Sequence, residues 1–184
     1  MRVRGGSAKG QVIQAPKGFD TRPTSDKVKE AIFNVLAFKI QEAEVIDLCA
    51  GSGNLGLESL SRGAKKAVFV EKHSKACMSI KHNITNLDFQ TESKIHKIDV
   101  LKALSLFVTK EQKFDIIFFD PPYHAGLYLP VLNFIALNGT SLLKENAVLV
   151  VECSVKENLP DIIDEFILRK TSVYGDTKVL YYQF

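Results

Sequence analysis

Four consecutive residues in the second half of the chain could bind a planar amine. They are Asp120-Pro121-Pro122-Tyr123, and they follow an apolar segment, residues 114–119, that is typical of a buried strand. The two prolines stiffen the backbone and donate no amide hydrogen, so the carbonyls around them remain acceptors. Asp120 adds a carboxylate and Tyr123 adds a ring on which a base could stack. This acceptor cluster suits a flat group that carries an NH2.

The chemistry that such a cluster could serve is methyl transfer to the exocyclic amine of a nucleic-acid base. That amine is a poor nucleophile because its lone pair is conjugated into the ring, and acceptors outside the ring plane favour the pyramidal form that frees the lone pair. An in-line sulfonium methyl then reacts by displacement, with catalysis by positioning and electrostatics. Adenine N6, cytosine N4 and guanine N2 all fit, and the structural alternative is a simple proline turn.

A glycine-rich turn provides a second candidate site. Residues 51–56 fit the pattern GxGxxG, directly after an apolar segment and before a helical one. Glycines let the backbone approach a ligand closely, but the pattern alone also occurs in nicotinamide and flavin enzymes and in turns without a ligand. Glu71 ends the next strand and could accept hydrogen bonds from both ribose hydroxyls of an adenosine. Asp99 could form a hydrogen bond with the adenine edge or cap the following helix, and the sequence does not distinguish these two roles.

Strand-like and helix-like segments alternate through the chain, which predicts a doubly wound α/β domain. Uniformly apolar strands are usually buried on both faces of a parallel sheet. Two further strand-like runs at the end, joined by Gly175-Asp176, predict an antiparallel hairpin. The seven predicted strands are Val45–Cys49, Lys66–Glu71, Lys94–Ile98, Phe114–Phe119, Ala147–Cys153, Phe166–Tyr174 and Lys178–Phe184. The predicted helices are Leu55–Arg62, Ser74–Leu87, Leu101–Val108 and Leu127–Leu137, preceded by one that Thr24 or Ser25 could cap.

Composition narrows the class of protein. The 184 residues suit one domain, residues 1–184, with 46% hydrophobic and 24% charged side chains. No apolar run approaches the length of a membrane span and the start lacks a secretory signal, so we expect a cytoplasmic protein. The three cysteines show no metal-ligand spacing, so no metal is expected, and a monomer is the default.

The net charge of +3 is unevenly distributed. Residues 1–30 carry seven basic and three acidic side chains, whereas the other 154 residues sum to −1. A basic extension over residues 1–20, with short strands and glycine turns, could dock on phosphates. The alternative is a solvated N-terminus.

The Asp-Pro-Pro-Tyr segment resembles the motif of a known group, the amino-methyltransferases with a D/N/S-P-P-Y/F/W motif. The stretch from Val45 to Gly53 is similar to that group's cofactor motif. The opening Met1-Arg2-Val3-Arg4-Gly5-Gly6, the element Arg22-Pro23-Thr24, and residues 50–58 resemble the bacterial 16S rRNA guanine-N2 methyltransferases of the RsmD type over nearly the whole chain.

This resemblance implies a Rossmann-like methyltransferase with a mostly parallel sheet, S-adenosylmethionine as cofactor and small-subunit rRNA as partner. The implied catalytic residues are Asp120, Pro121, Pro122 and Tyr123. The implied cofactor site comprises Thr24, Asp47, Ala50, Gly51, Ser52, Gly53, Glu71, Asp99 and Val100. The implied RNA contacts are Arg2, Arg4, Lys9 and Arg22. Guanine and rRNA come from this resemblance alone.

Three other functions remain as alternatives. An amino-methyltransferase that acts on DNA or another RNA would use the same chemistry, although 184 residues leave little space for a DNA-recognition region. A nicotinamide-dependent oxidoreductase would leave the Asp-Pro-Pro-Tyr segment unexplained. A non-catalytic nucleic-acid binder would not need Asp120, Tyr123 and Glu71 together.

Overall fold

The computed structural model describes residues 1–16, 25–123 and 125–184. The helices are α1 (Asp26–Val35), α2 (Asn54–Ser61), α3 (Ser74–Asn86), α4 (Val100–Thr109), α5 (Tyr128–Leu137) and α6 (Gly139–Leu142). The strands are β1 (Glu44–Leu48), β2 (Lys66–Val70), β3 (Ser93–His96), β4 (Phe114–Phe119), β5 (Leu143–Ser154), β6 (Ile162–Ile163), β7 (Phe166–Tyr174) and β8 (Thr177–Gln183).

The eight strands form one sheet in the order β3-β2-β1-β4-β5-β8-β7-β6. The pairs among the first five strands are parallel, and β8, β7 and β6 add antiparallel pairs. The chain leaves β1 to build β2 and β3 on one side and returns to build β4 on the other. This change of direction opens a crevice at the carboxyl ends of β1 and β4, where α/β sheets bind ligands.

Apolar side chains on both faces of the sheet form the core. Along β4, Phe118 packs toward α1, with its ring centroid 5.8 Å from that of Phe33. The next residue, Phe119, points to the other layer, where its ring lies 5.9 Å from that of Tyr128. This alternation follows from the two-residue period of a strand. The parallel strands are therefore covered on both sides, as their apolar sequences predict.

The N-terminal segment, residues 1–16, is fastened to α2 and α1. A single isolated bridge pairs Arg2 with Val12, where the sequence predicts short strands. The Ser61 hydroxyl donates to the Gly5 carbonyl at 2.6 Å. The fully buried Lys29 ammonium donates to the Arg2 carbonyl at 2.6 Å and pairs with Glu58 at 3.1 Å. This segment is thus built onto the body of the protein.

The predicted α/β architecture is confirmed, with differences at short elements. The sequence predicts seven strands, whereas the structure adds β6, which is two residues long and too short to show a period of two. The four-residue helix α6 likewise has no periodicity to detect. The helix cap before α1 is Ser25, whose hydroxyl accepts from the Val28 amide at 3.3 Å. Among the described residues, no helix is long and apolar enough to span a membrane.

Candidate active site

A cleft of about 470 Å³ opens at the carboxyl edge of the parallel strands. It contains most of the residues that the sequence singles out, although they come from segments far apart in the chain. Those that line it are Asp47, Ala50, Gly51, Ser52, Glu71, Asp99, Val100, Asp120, Pro121, Pro122 and Tyr123. The sheet topology therefore brings the glycine turn and the Asp-Pro-Pro-Tyr segment into one site.

The three glycines of the turn have different roles. Gly51 has φ +56°, and a Cβ built on it would meet nothing within 4 Å, so its outer side is open to a ligand. Gly53 lies off the cleft wall as the N-cap of α2, with φ +78°. A Cβ on Gly56 would lie 2.3 Å from the Phe69 ring. The last glycine therefore lets α2 pack against β2, and the first leaves space for a ligand.

Glu71 ties the glycine turn to the end of β2. One carboxylate oxygen accepts the Gly51 amide at 3.0 Å and the other accepts the His73 amide at 2.9 Å. The side chain is only 7% exposed but lines the cleft. Because each carboxylate oxygen can accept more than one hydrogen bond, Glu71 can still receive ribose hydroxyls.

Asp99 caps the helix that follows it, which is one of its two predicted roles, and it also lines the cleft. Its carboxylate accepts the Leu101 amide at 3.0 Å and caps α4. Val100 begins that helix, and the first amide hydrogens of a helix have no acceptor within it. The start of α4 can therefore offer both an acceptor and a donor to an adenine edge.

Asp47 lies at the bottom of the cleft. Its carboxylate accepts the Gly56 amide at 3.0 Å. Burial, reinforced by the nearby Asp120 and Glu71 charges, raises the pKa of Asp47 to about 8, although the hydrogen bond from Gly56 opposes this shift. A cation placed above these three acids, such as the ammonium of an amino-acid ligand, would be strongly favoured.

Cys49 also lines the cleft. Burial, together with the neighbouring Glu71 and Asp120 charges, raises the pKa of its thiol to about 12. A thiol with so high a pKa stays protonated at neutral pH, and the thiol is a weak nucleophile compared with the thiolate. Cys49 is therefore poorly suited to form a covalent intermediate with a ligand in this cleft.

The Asp-Pro-Pro-Tyr segment leaves β4 as a rigid corner. Pro121 is buried and Pro122 is exposed. The Pro122 carbonyl accepts the Ala125 amide at 3.2 Å, so one of the two prolyl acceptors is used by the turn itself. The Tyr123 hydroxyl lies 3.3 Å from the hydroxyl of Thr177, which holds the ring against the C-terminal hairpin. Asp120 and Tyr123 thus face the same cleft on a fixed backbone.

Several residues that line the cleft were not predicted from the sequence, and three of them are polar residues of the C-terminal strands. Glu152 ends the apolar run of β5, and Tyr174 and Thr177 flank the turn between β7 and β8. Glu152 carried a detectable signal, since it is an acid at a strand end like Glu71 and Asp120. The two hairpin residues carried none, because only the order of strands in the sheet brings that turn to the site.

The predicted RNA contacts that the structure describes, Arg2, Arg4 and Lys9, are not among the residues that line the cleft. Arg2 and Lys9 are exposed, and Arg2 donates to the Gly10 carbonyl at 2.8 Å. Arg4 is committed to acidic neighbours, with Glu30 at 2.7 Å and Asp26 at 3.7 Å. Arg22 and Thr24 lie outside the described residues, as does the cofactor-closing role expected for residues 22–24.

The sheet order and the position of the site define a Rossmann-like methyltransferase fold. The chain belongs to the family described as "Conserved hypothetical protein 95", whose model matches residues 1–183. A putative rRNA methyltransferase, YlbH of Bacillus subtilis, is 36% identical over 100% of this chain and 98% of its own. Ribosomal RNA small subunit methyltransferase D of Escherichia coli is 32% identical over 100% of this chain and 89% of its own.

Solved structures share the same architecture. A putative methyltransferase, yhhF from Escherichia coli, superposes with a TM-score of 0.84 at 33% identity, covering 100% of this chain and 97% of that one. An RNA methyltransferase from Salinibacter ruber, crystallised with S-adenosyl-L-homocysteine, shares the fold with a TM-score of 0.63 at 13% identity, covering 88% and 92%.

Proposed function

We propose that this chain is an S-adenosylmethionine-dependent methyltransferase that methylates the exocyclic N2 amine of a guanine in small-subunit rRNA. One observation carries the proposal: the Asp-Pro-Pro-Tyr corner and the glycine turn with Glu71 line a single cleft. The family membership and the printed names of the relatives support rRNA as the substrate.

The cleft fits the cofactor part by part. Glu71 would hold the ribose hydroxyls, and Asp99 with the Val100 amide would hold the adenine. The methionine end would lie over Gly51 and Asp47, where the backbone is open and the acids attract an ammonium. Ala50, Ser52 and Gly53 complete the turn, and Thr24 would close it. When bound, S-adenosylmethionine supplies an electrophilic methyl group.

The chain's own residues would position and activate the acceptor amine. Asp120 accepts one amine hydrogen, and a prolyl carbonyl of the corner accepts the other, so that the nitrogen lone pair turns out of the ring plane. Tyr123 stacks on the base, with its hydroxyl anchored by Thr177. Both acceptors are fixed before the base arrives, so little reorganisation is needed during reaction.

The N-terminal segment would carry the nucleic-acid contacts. Arg2, Arg4, Lys9 and Arg22 are proposed to contact phosphates beside the cleft, within a single domain spanning residues 1–184. The target guanine must be unpaired or flipped to reach the corner, and single-stranded rRNA loops supply such bases. We propose that the enzyme acts in the cytoplasm as a monomer without a metal.

The experiment that tests this function uses labelled S-adenosylmethionine. The purified protein is incubated with small ribosomal subunits from cells that lack the enzyme, and the labelled nucleoside is identified. We expect N2-methylguanosine in 16S rRNA, and labelling about 10²–10³-fold slower with the Asp120→Ala variant. Label in N6-methyladenosine or N4-methylcytosine, or transfer only to DNA or another RNA, would overturn the proposal in favour of the alternative amino-methyltransferase.

A further inference from the structure

Glu152 lies beside Asp120 in the cleft. β4 and β5 are paired in parallel, with Phe119 opposite Val151. One residue further along each strand, the same register sets Asp120 next to Glu152, on strands that are about 4.8 Å apart. Both residues line the cleft, and the Glu152 side chain is 6% exposed.

The backbone around Glu152 is held on two sides. Opposite β4, the strand pairs with β8, where Glu152 faces Val179. The Tyr128 hydroxyl donates to the Glu152 carbonyl at 3.3 Å. A side chain on so constrained a strand has a fixed direction, which is what base discrimination requires.

The three bases with an exocyclic amine differ in the atom beside that amine. In guanine, the ring N1–H next to the N2 amine is a donor. In adenine the corresponding N1, and in cytosine the N3, carries a lone pair and accepts hydrogen bonds. An ionised carboxylate accepts hydrogen bonds and donates none. A carboxylate beside the amine-binding Asp120 therefore favours guanine and repels the lone pairs of adenine and cytosine.

We infer that Glu152 is the specificity-determining residue that accepts the N1–H of the target guanine, while Asp120 accepts a hydrogen of its N2 amine. The two acids then read two adjacent donors of one base edge. This inference rests on the proposed function and deepens it, because the Asp-Pro-Pro-Tyr segment alone does not choose among the three amines. The Glu152 carboxylate would then explain why the enzyme selects guanine over adenine and cytosine.

The test uses an analogue that lacks the N1 hydrogen. Once the methylated position is known, two small-subunit rRNAs are assembled, one with guanosine and one with 2-aminopurine at that position. 2-Aminopurine keeps the amine but has a lone pair at N1. Wild-type protein should prefer guanosine in kcat/KM, and Glu152→Gln should lower that preference by about 10–100-fold, because the amide can donate to N1 of the analogue.

Two controls separate this role from a structural one. Glu145→Gln makes the same change at the exposed amino end of β5 and should leave the preference unchanged. Affinity for S-adenosylhomocysteine should be unchanged in Glu152→Gln, which shows that the cleft is folded. The loss of the oxygen at O6 in 2-aminopurine affects wild type and variant alike and cancels in the comparison.

The outcomes are distinguishable. If Glu152→Gln loses activity equally on both rRNAs, or keeps the wild-type preference, Glu152 does not read N1 and the inference is overturned while the function stands. If wild-type protein methylates no guanosine in rRNA, the proposed function fails and the inference fails with it.

Discussion

The Gly51 amide donates to the Glu71 carboxylate at 3.0 Å, so the turn after β1 and the acid after β2 are joined without a ligand. The same carboxylate accepts the His73 amide at 2.9 Å. The acid that is proposed to hold the ribose is therefore already oriented by the loop that is proposed to hold the methionine end. A site arranged in this way loses little conformational entropy when it binds its ligand.

Replacing Glu71 tests whether this joint belongs to the cofactor site. Glu71→Ala should weaken S-adenosylhomocysteine binding by about 10–100-fold, since a hydrogen bond to a charged group contributes about 1.5–3 kcal/mol. Isothermal titration measures the affinity, and Glu165→Ala, which replaces an exposed acid in the turn between β6 and β7, serves as the matched control. Unchanged affinity in Glu71→Ala would remove Glu71 from the ligand site.

The glycines at the two ends of the turn should fail in different ways when each is changed to alanine. Gly56→Ala drives a methyl group to 2.3 Å from Phe69 and should reduce the free energy of unfolding by about 1–3 kcal/mol. Gly51→Ala meets no neighbour but sits at φ +56° in the ligand space, so it should lower S-adenosylhomocysteine affinity at least about 10-fold.

A double-mutant cycle checks the packing explanation. Phe69→Leu should recover part of the stability lost in Gly56→Ala, because it shortens the side chain that the new methyl group meets. The same change should not restore ligand binding to Gly51→Ala. Urea unfolding and ligand titration report the two effects separately, and additive stability losses at positions 56 and 69 would contradict the proposed contact.

For these glycines, the sequence predicts the position of the turn but not the role of each residue. The pattern GxGxxG after an apolar run located the turn and the strand correctly, since both depend on local backbone preferences. It could not separate a glycine that faces a ligand from one that faces Phe69, because that distinction depends on the packing of α2 against β2. The same limit applied to Asp99, whose capping and cleft-lining roles are both visible in the structure.

Asp120 is the proposed catalytic acceptor, and its removal should separate binding from chemistry. Asp120→Ala should lower the rate of methyl transfer by about 10²–10³-fold, the usual effect of losing one preorganised polar group. Affinity for S-adenosylhomocysteine should stay within about threefold of wild type, since the loss acts mainly in the transition state. Single-turnover assays with labelled cofactor measure the rate, and near-normal turnover would refute the proposed site.

Asp47 should make stability fall as the pH rises. Burial raises the pKa of Asp47 from 3.8 to about 8, so the folded protein retains a proton that the unfolded chain releases. This contribution to stability is fully present below pH 3.8 and is lost as the pH rises through about 8. Asp47→Asn keeps an acceptor for the Gly56 amide but cannot titrate.

Urea unfolding at about pH 5 and about pH 8.5 measures this dependence. The free energy of unfolding of wild-type protein should decrease more over this interval than that of Asp47→Asn, by up to about 1.4 kcal/mol per pH unit. Parallel curves for the two proteins would show that Asp47 is already ionised in the folded state.

The C-terminal hairpin makes a long-range contact that local sequence patterns cannot predict. The sequence predicted both strands and the turn at Gly175-Asp176, because alternation and turn residues are local signals. It did not predict that Thr177 would reach Tyr123, 54 residues earlier in the chain. That contact exists because β8 inserts between β5 and β7, a long-range choice of strand order that single-strand periodicity does not encode.

Substitutions of Lys9 and Arg4 in the basic N-terminal segment should have different effects on stability. Lys9 is exposed, whereas the Arg4 guanidinium is paired with Glu30 at 2.7 Å and its backbone amide donates to Glu58 at 2.8 Å. Lys9→Glu should therefore weaken rRNA binding and lower the slope of log K against log salt by about one, with stability unchanged. Arg4→Glu should lower stability as well, because it faces Glu30 and Asp26 with a like charge. Filter binding over a salt series with parallel urea unfolding distinguishes the two, and an unchanged slope for Lys9→Glu would place the RNA on another surface.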